Sequence, residues 1–142
     1  MVDKETLKAK LAKITECLIE LKQVEQIPFE TYRKDKKTKG YTERLLQLIV
    51  EAASDINDHI TVSLGKRPPE DYKTSFRHAA EAKLILNELA EELEKSAGMR
   101  NILVHEYMKI DDQIVYSTIP LAIKHYTEYV KQVNAFLKKF PG

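Results

Sequence analysis

From Gly98 to Tyr107 the sequence reads Gly-Met-Arg-Asn-Ile-Leu-Val-His-Glu-Tyr, and its polar residues are of the types that metal-free phosphodiester cleavage needs. In such a reaction a 2′-hydroxyl loses a proton as it attacks the adjacent phosphorus, and the leaving 5′-oxygen gains one. An imidazole such as that of His105 can perform either transfer. The guanidinium of Arg100 carries a permanent charge and can hold phosphate oxygens through paired hydrogen bonds, which stabilises a dianionic transition state. Asn101 can orient the imidazole or the phosphate, and Tyr107 offers a hydroxyl at the rim. Taken alone, an arginine and a histidine on a short helix are more often a helix-end cation and a satisfied histidine, so the spacing does not by itself assign a site.

Helix geometry adds a condition. At about 100° per residue, Arg100, Leu103 and Tyr107 fall nearly on one stripe, while His105 lies about 140° around from Arg100. Asn101 and His105 are four apart and share a neighbouring face, within reach of a mutual hydrogen bond. A joint Arg100–His105 site within one helix therefore needs Arg100 at the helix start with its arm reaching around, and Gly98 offers a break where that start could fall.

The elements that must position these residues read as helices. Leu7, Leu11, Ile14, Leu18 and Leu21 recur at spacings of three and four, the pattern of one buried helical face, which predicts a helix from an Asp3 N-cap to about Gln26. Pro28 marks a boundary, because the residue before a proline is pushed out of the helical region. The polar run Arg33 to Gly40 reads as a solvated loop or frayed helix start, with contact to RNA phosphates as its functional alternative. Tyr41, Leu45, Leu48, Ile49, Ala52, Ile56 and Ile60 predict a second helix ending before Gly65. A third runs from Asp71 to just before Gly98, then a short helix from Met99 to Met108, and a last helix carries Ile114 to Leu137 after a cap at Asp111 or Asp112. Pro120 should kink that helix. The whole chain, 1–142, is expected to form one all-α domain: an antiparallel four-helix bundle with a short extra helix carrying the motif before the last one.

Composition narrows the function classes. The net charge is +1, so no global basic field recruits nucleic acid and any RNA contact must be local. Cys17 is the sole cysteine; it suits a reducing compartment and reads as a small core residue. No stretch approaches the roughly 20 apolar residues that span a bilayer, and a cytoplasmic protein is expected. No cofactor or metal is expected, since neither a Gly-rich phosphate loop nor a metal-ligand spacing around His78 or His125 occurs. Asp55 and His59, four apart on the second helix, form a candidate supporting pair, although a surface pair or a capping contact is the commoner use of such a spacing.

Arg100, four residues, His105, one residue and Tyr107 reproduce the motif of the HepT-like HEPN ribonuclease toxins, with Asn101 in the place commonly taken by that residue. The flanking order is similar too. A glycine precedes the motif, the acidic turn Ile110-Asp111-Asp112 follows it, and upstream lie Tyr41 to Arg44, Ala52 to Ile60 and the turn Gly65 to Pro69 with Tyr72 and Phe76. The chain thus resembles that family from about Tyr41 to Phe140, while the basic Arg33 to Lys39 stretch matches no family feature. The resemblance implies a HEPN helical bundle that forms a homodimer, with two motifs facing each other across a cleft. It implies a metal-independent endoribonuclease cleaving tRNA or mRNA, the toxin of a type VII pair. It further implies an MntA-like nucleotidyltransferase antitoxin that adds AMP to Tyr107. On this resemblance Arg100 and His105 are catalytic, and Asn101 and Tyr107 support them. A reading from another class also fits the near-neutral charge: a non-catalytic helical module that binds a nucleotidyltransferase or a nucleotide.

Overall fold

Four aspartates start four helices. Asp3, Asp35, Asp71 and Asp111 each sit in extended backbone and accept hydrogen bonds from backbone N–H groups of the following turn, the groups that a helix start leaves without intrahelical partners. The computed structural model describes residues 2–140 and contains α1 (Lys4–Glu25), α2 (Phe29–Tyr32), α3 (Lys36–Ser63), α4 (Tyr72–Glu81), α5 (Asn87–His105), a 3-10 turn (Tyr107–Lys109) and α6 (Asp112–Lys139). Among the described residues there is no strand. None of their helices is long and apolar enough to cross a membrane.

The long helices α1, α3, α5 and α6 form the expected four-helix bundle. The backbone N–H of Asp3 donates to Nε2 of His59 at 3.1 Å and Lys10 pairs with Asp55 at 3.3 Å, so α1 runs antiparallel to α3. Lys4 donates to the Phe140 carbonyl at 2.7 Å, which sets α1 against α6 in the same sense. Gln132 accepts from the Leu86 N–H at 2.8 Å and Ser96 meets the Tyr126 hydroxyl at 2.6 Å, which makes α5 antiparallel to α6. Lys39 pairs with Asp112 at 3.0 Å, joining the starts of α3 and α6. One end of the bundle therefore gathers the start of α3, the end of α5, the 3-10 turn and the start of α6. The buried face of α1 is the one its spacing predicts, and Cys17 packs within it at 2% exposure. Burial raises the Cys17 thiol's pKa, which keeps it unreactive.

Three boundaries differ from the sequence reading. The chain between Asp71 and Gly98 is two helices, broken at Lys83, whose φ of 62° is left-handed, with Leu84 and Ile85 tucked into the core after it. Gly98 breaks nothing. It lies inside α5, so the motif occupies the last turns of a 19-residue helix and the 3-10 turn after it, not a separate short helix. The basic run is largely helical as well, because the Asp35 cap starts α3 at Lys36. Helix α6 continues through Pro120.

Candidate active site

Arg100 does not reach around its helix toward His105. Its guanidinium turns into a slot between α3, α4 and α5, where its side chain is only 13% exposed. Nη2 donates to Oε2 of Glu51 at 3.0 Å, Nη1 donates to Oδ1 of Asn101 at 3.3 Å, and the guanidinium carbon lies 4.5 Å from the centre of the Tyr72 ring. Gln47, one turn before Glu51, donates to the same carboxylate oxygen at 3.0 Å and so fixes it from the other side. Nε of Arg100 is buried and has no protein partner. The guanidinium is thus held by a carboxylate, an amide and an aromatic face, with its other N–H groups left for an acceptor.

Each wall has a local cause. Tyr72 is the first residue of α4, directly behind the Asp71 cap, whose carboxylate accepts from the Thr74 N–H at 2.7 Å. Hydrogen bonding to Thr74 holds the Asp71 pKa below the usual range. Helix α4 is fixed to α3 by a buried polar network. Ser75 donates to Asp58 at 2.8 Å and receives from Ser54 at 3.0 Å and Asn57 at 3.3 Å, and the Tyr129 hydroxyl of α6 donates to Oδ1 of Asn57 at 2.7 Å. Burial raises the Asp58 carboxyl's pKa, against the lowering effect of the two serine bonds.

His105 is the last residue of α5 and is exposed. Tyr107 follows in the 3-10 turn at 76% exposure and Met108 at 91%. Asn101 does not orient His105; its oxygen accepts from Arg100. Asp55 and His59 do not pair with each other, and their contacts are of the commoner structural kind. Asp55 binds Lys10 and His59 accepts from Asp3, so both serve the α1–α3 contact. Glu51, Gln47 and Tyr72 escaped the sequence reading as site residues, because only tertiary packing brings positions so distant in the chain onto Arg100.

Beside the motif, α3, α5 and α6 enclose a largely apolar cavity of about 200 Å³ whose lining includes Met99, Leu121 and His125. Ile114 and Leu121 on the outer face of α6 are 54% and 53% exposed. Among the described residues, no group of three or more His, Cys, Asp or Glu side chains is placed to hold a metal ion.

The chain resembles known proteins over nearly its full length. A tRNA nuclease HepT from Aphanizomenon flos-aquae is 37% identical over 131 residues, covering 92% of this chain and 89% of that protein. An mRNA nuclease HepT from Shewanella oneidensis is 27% identical over 126 residues, covering 89% of this chain and 94% of the relative. The solved structure of a tri-AMPylated HEPN toxin from Shewanella oneidensis in complex with its MNT antitoxin superposes with a TM-score of 0.84 at 26% identity, covering 95% of this chain and 99% of that one. The family model described as ribonuclease HepT-like matches residues 14–133, and the chain belongs to that family.

Proposed function

We propose that the chain is the toxin of a toxin–antitoxin pair, an endoribonuclease of cytoplasmic RNA whose working site is completed by a second copy of itself. The observation that carries this reading is the division of the motif. Within one chain Arg100 is held toward Glu51 and Tyr72 while His105 sits exposed at the helix end, about 140° around. A cleft between two copies would set the His105 of each beside the motif of the other. The exposed Met108, Ile114 and Leu121 next to the motif supply apolar surface for that association.

In that cleft the 2′-hydroxyl attacks the adjacent phosphorus, giving a 2′,3′-cyclic phosphate and a free 5′-hydroxyl. His105 takes or returns the proton, and Arg100 stabilises the charge that gathers on the phosphate oxygens. An MntA-like nucleotidyltransferase silences the enzyme by transferring AMP from ATP to the hydroxyl of Tyr107, which loses its proton as pyrophosphate leaves. The exposure of Tyr107 supports this, since the hydroxyl is open to a transferase in the single chain. Added phosphates beside His105 repel the RNA backbone and fill its place.

Cleavage of tRNA and mRNA by the purified chain, alongside His105→Ala, tests the reading; activity is expected from the parent and a loss of at least two decades in the variant. Intact mass of the chain co-produced with the nucleotidyltransferase tests the second half, with AMP increments expected and abolished by Tyr107→Phe. A non-catalytic module that binds the nucleotidyltransferase is the second reading, favoured by the burial of Arg100 against Glu51. It gains the ground if the unmodified chain neither cuts RNA nor arrests growth.

A further inference from the structure

The basic run that opens α3 is not scattered charge. Between Arg33 and Arg44 stand six cationic side chains against two acidic ones, in a chain whose net charge is only +1. Several of these charges are already engaged. Arg33 binds Glu30, Lys39 binds Asp112, and the Asp35 carboxylate caps the helix. Lys34, Lys36, Lys37 and Arg44 are exposed and have no ion-pair partner among the described residues, and of these Lys37 and Arg44 share one face of α3.

Their spacing places them. Seven residues on a helix return to within about 20° of the same direction and advance about 10 Å. Lys37, Arg44 and Glu51 are spaced by seven, so these two of the free cations lie on the α3 stripe that carries Glu51, the residue gripping Arg100. Helix α5 runs against α3 and ends at His105, whereas α3 continues beyond that level to Lys36. The Lys39–Asp112 pair fixes this end of α3 beside the start of α6, directly after the turn that carries Tyr107. In the other direction the stripe turns acidic at Asp55, which is occupied by Lys10. The stripe therefore has a polarity, from a carboxylate at one end, past Arg100, to free cations at the other.

We propose that Lys37 and Arg44 form a phosphate track that binds the RNA strand on one side of the scissile bond and leads it away toward the start of α3. The proposal rests on the ribonuclease reading above and names the surface by which that site holds its substrate. It also reconciles RNA binding with near-zero net charge, because the positive field is concentrated where the strand passes. The acceptors are backbone phosphates, so the track adds affinity without base preference.

The test measures binding of a single-stranded RNA oligonucleotide to the full chain carrying His105→Ala, by fluorescence anisotropy over a series of salt concentrations. Each lost phosphate contact should lower the slope of log affinity against log salt by about 0.7. Lys37→Gln with Arg44→Gln is thus expected to reduce it by about 1.4, and Lys37→Arg with Arg44→Lys to restore it. Lys8→Gln, an exposed change near the start of α1 at the opposite end of the bundle, should leave the slope as it was. An unchanged slope and affinity in the double glutamine variant overturns the track. Cleavage by the unaltered chain is scored separately. A chain that binds along the track without cutting keeps the proposal and removes the nuclease reading; one that cuts with an unchanged slope in the variant removes the track alone.

Discussion

At the scale of single residues, the site depends on how Arg100 is held as much as on its charge. A free arginine side chain samples many rotamers, and ordering it in a transition state costs entropy. Here Glu51, Asn101 and Tyr72 bear that cost in advance, which is preorganisation in the usual catalytic sense. On the proposed reading of Arg100, Glu51 and Tyr72 are positioning residues. Glu51→Ala is expected to lower kcat/KM for RNA cleavage about tenfold, equivalent to about 1.4 kcal/mol, mostly through kcat. Glu51→Gln should recover part of the loss, and steady-state kinetics with a defined oligonucleotide separates the two parameters. A fall in KM with unchanged kcat would instead make Glu51 a competitor of the phosphate. A second residue-scale prediction concerns Asp58, whose pKa burial raises, helped by the nearby charge of Asp55 and opposed by His78. A carboxyl with a raised folded-state pKa favours folding most when protonated, so its contribution declines as pH rises through that value. Asp58→Asn removes the decline. The stability gap between variant and parent, from urea denaturation, should therefore move in the variant's favour as pH is raised.

At the scale of helices, Gly98 was a misleading signal and Gly65 a faithful one, while of the capping aspartates Asp3 and Asp111 were read from sequence and Asp35 was passed over. Gly98 precedes the motif and reads as a stop, yet it sits inside α5 with ordinary helical neighbours. A Cβ added there would meet only the Lys73 Cε, at 3.8 Å. Gly98→Ala is accordingly expected to raise stability by about 0.5–1 kcal/mol, read as a higher melting temperature; a lower one would mean that the position needs glycine for close approach. The actual break falls on Lys83, a residue that carries no turn signature and accepts a left-handed φ because Leu84 and Ile85 gain burial behind it. The four aspartate caps were local events, each settled by a side chain and the backbone two or three residues on. Local chemistry of that kind can be read from sequence.

At the scale of the whole molecule, the exposed apolar residues beside the motif are the surface that the proposed second copy would cover. Leu121 lies at the mouth of the apolar cavity and Ile114 two turns earlier on the same helix. Leu121→Lys is expected to shift the chain toward monomer in sedimentation analysis and to reduce cleavage in parallel, without lowering helix content. A monomeric variant that cuts RNA at the parental rate would show that one copy suffices.

The all-helical class and the amphipathic face of α1 were fixed by periodicity, because burial along a helix repeats every three to four residues regardless of what the helix packs against. The motif Arg100, His105 and Tyr107 stood out through its resemblance to the HepT-like HEPN toxins, because spacing alone assigns no site. The grip on Arg100 was not. Glu51 is 49 positions away and Tyr72 lies on another helix, and no local rule couples such positions. The same holds for Asp55 and His59, whose spacing suggested a pair but whose partners are Lys10 and Asp3. Spacing within a helix sets which side chains share a face. Which neighbour that face meets is decided only when the bundle closes, and here that closure turned Arg100 inward and left His105 and Tyr107 in the open.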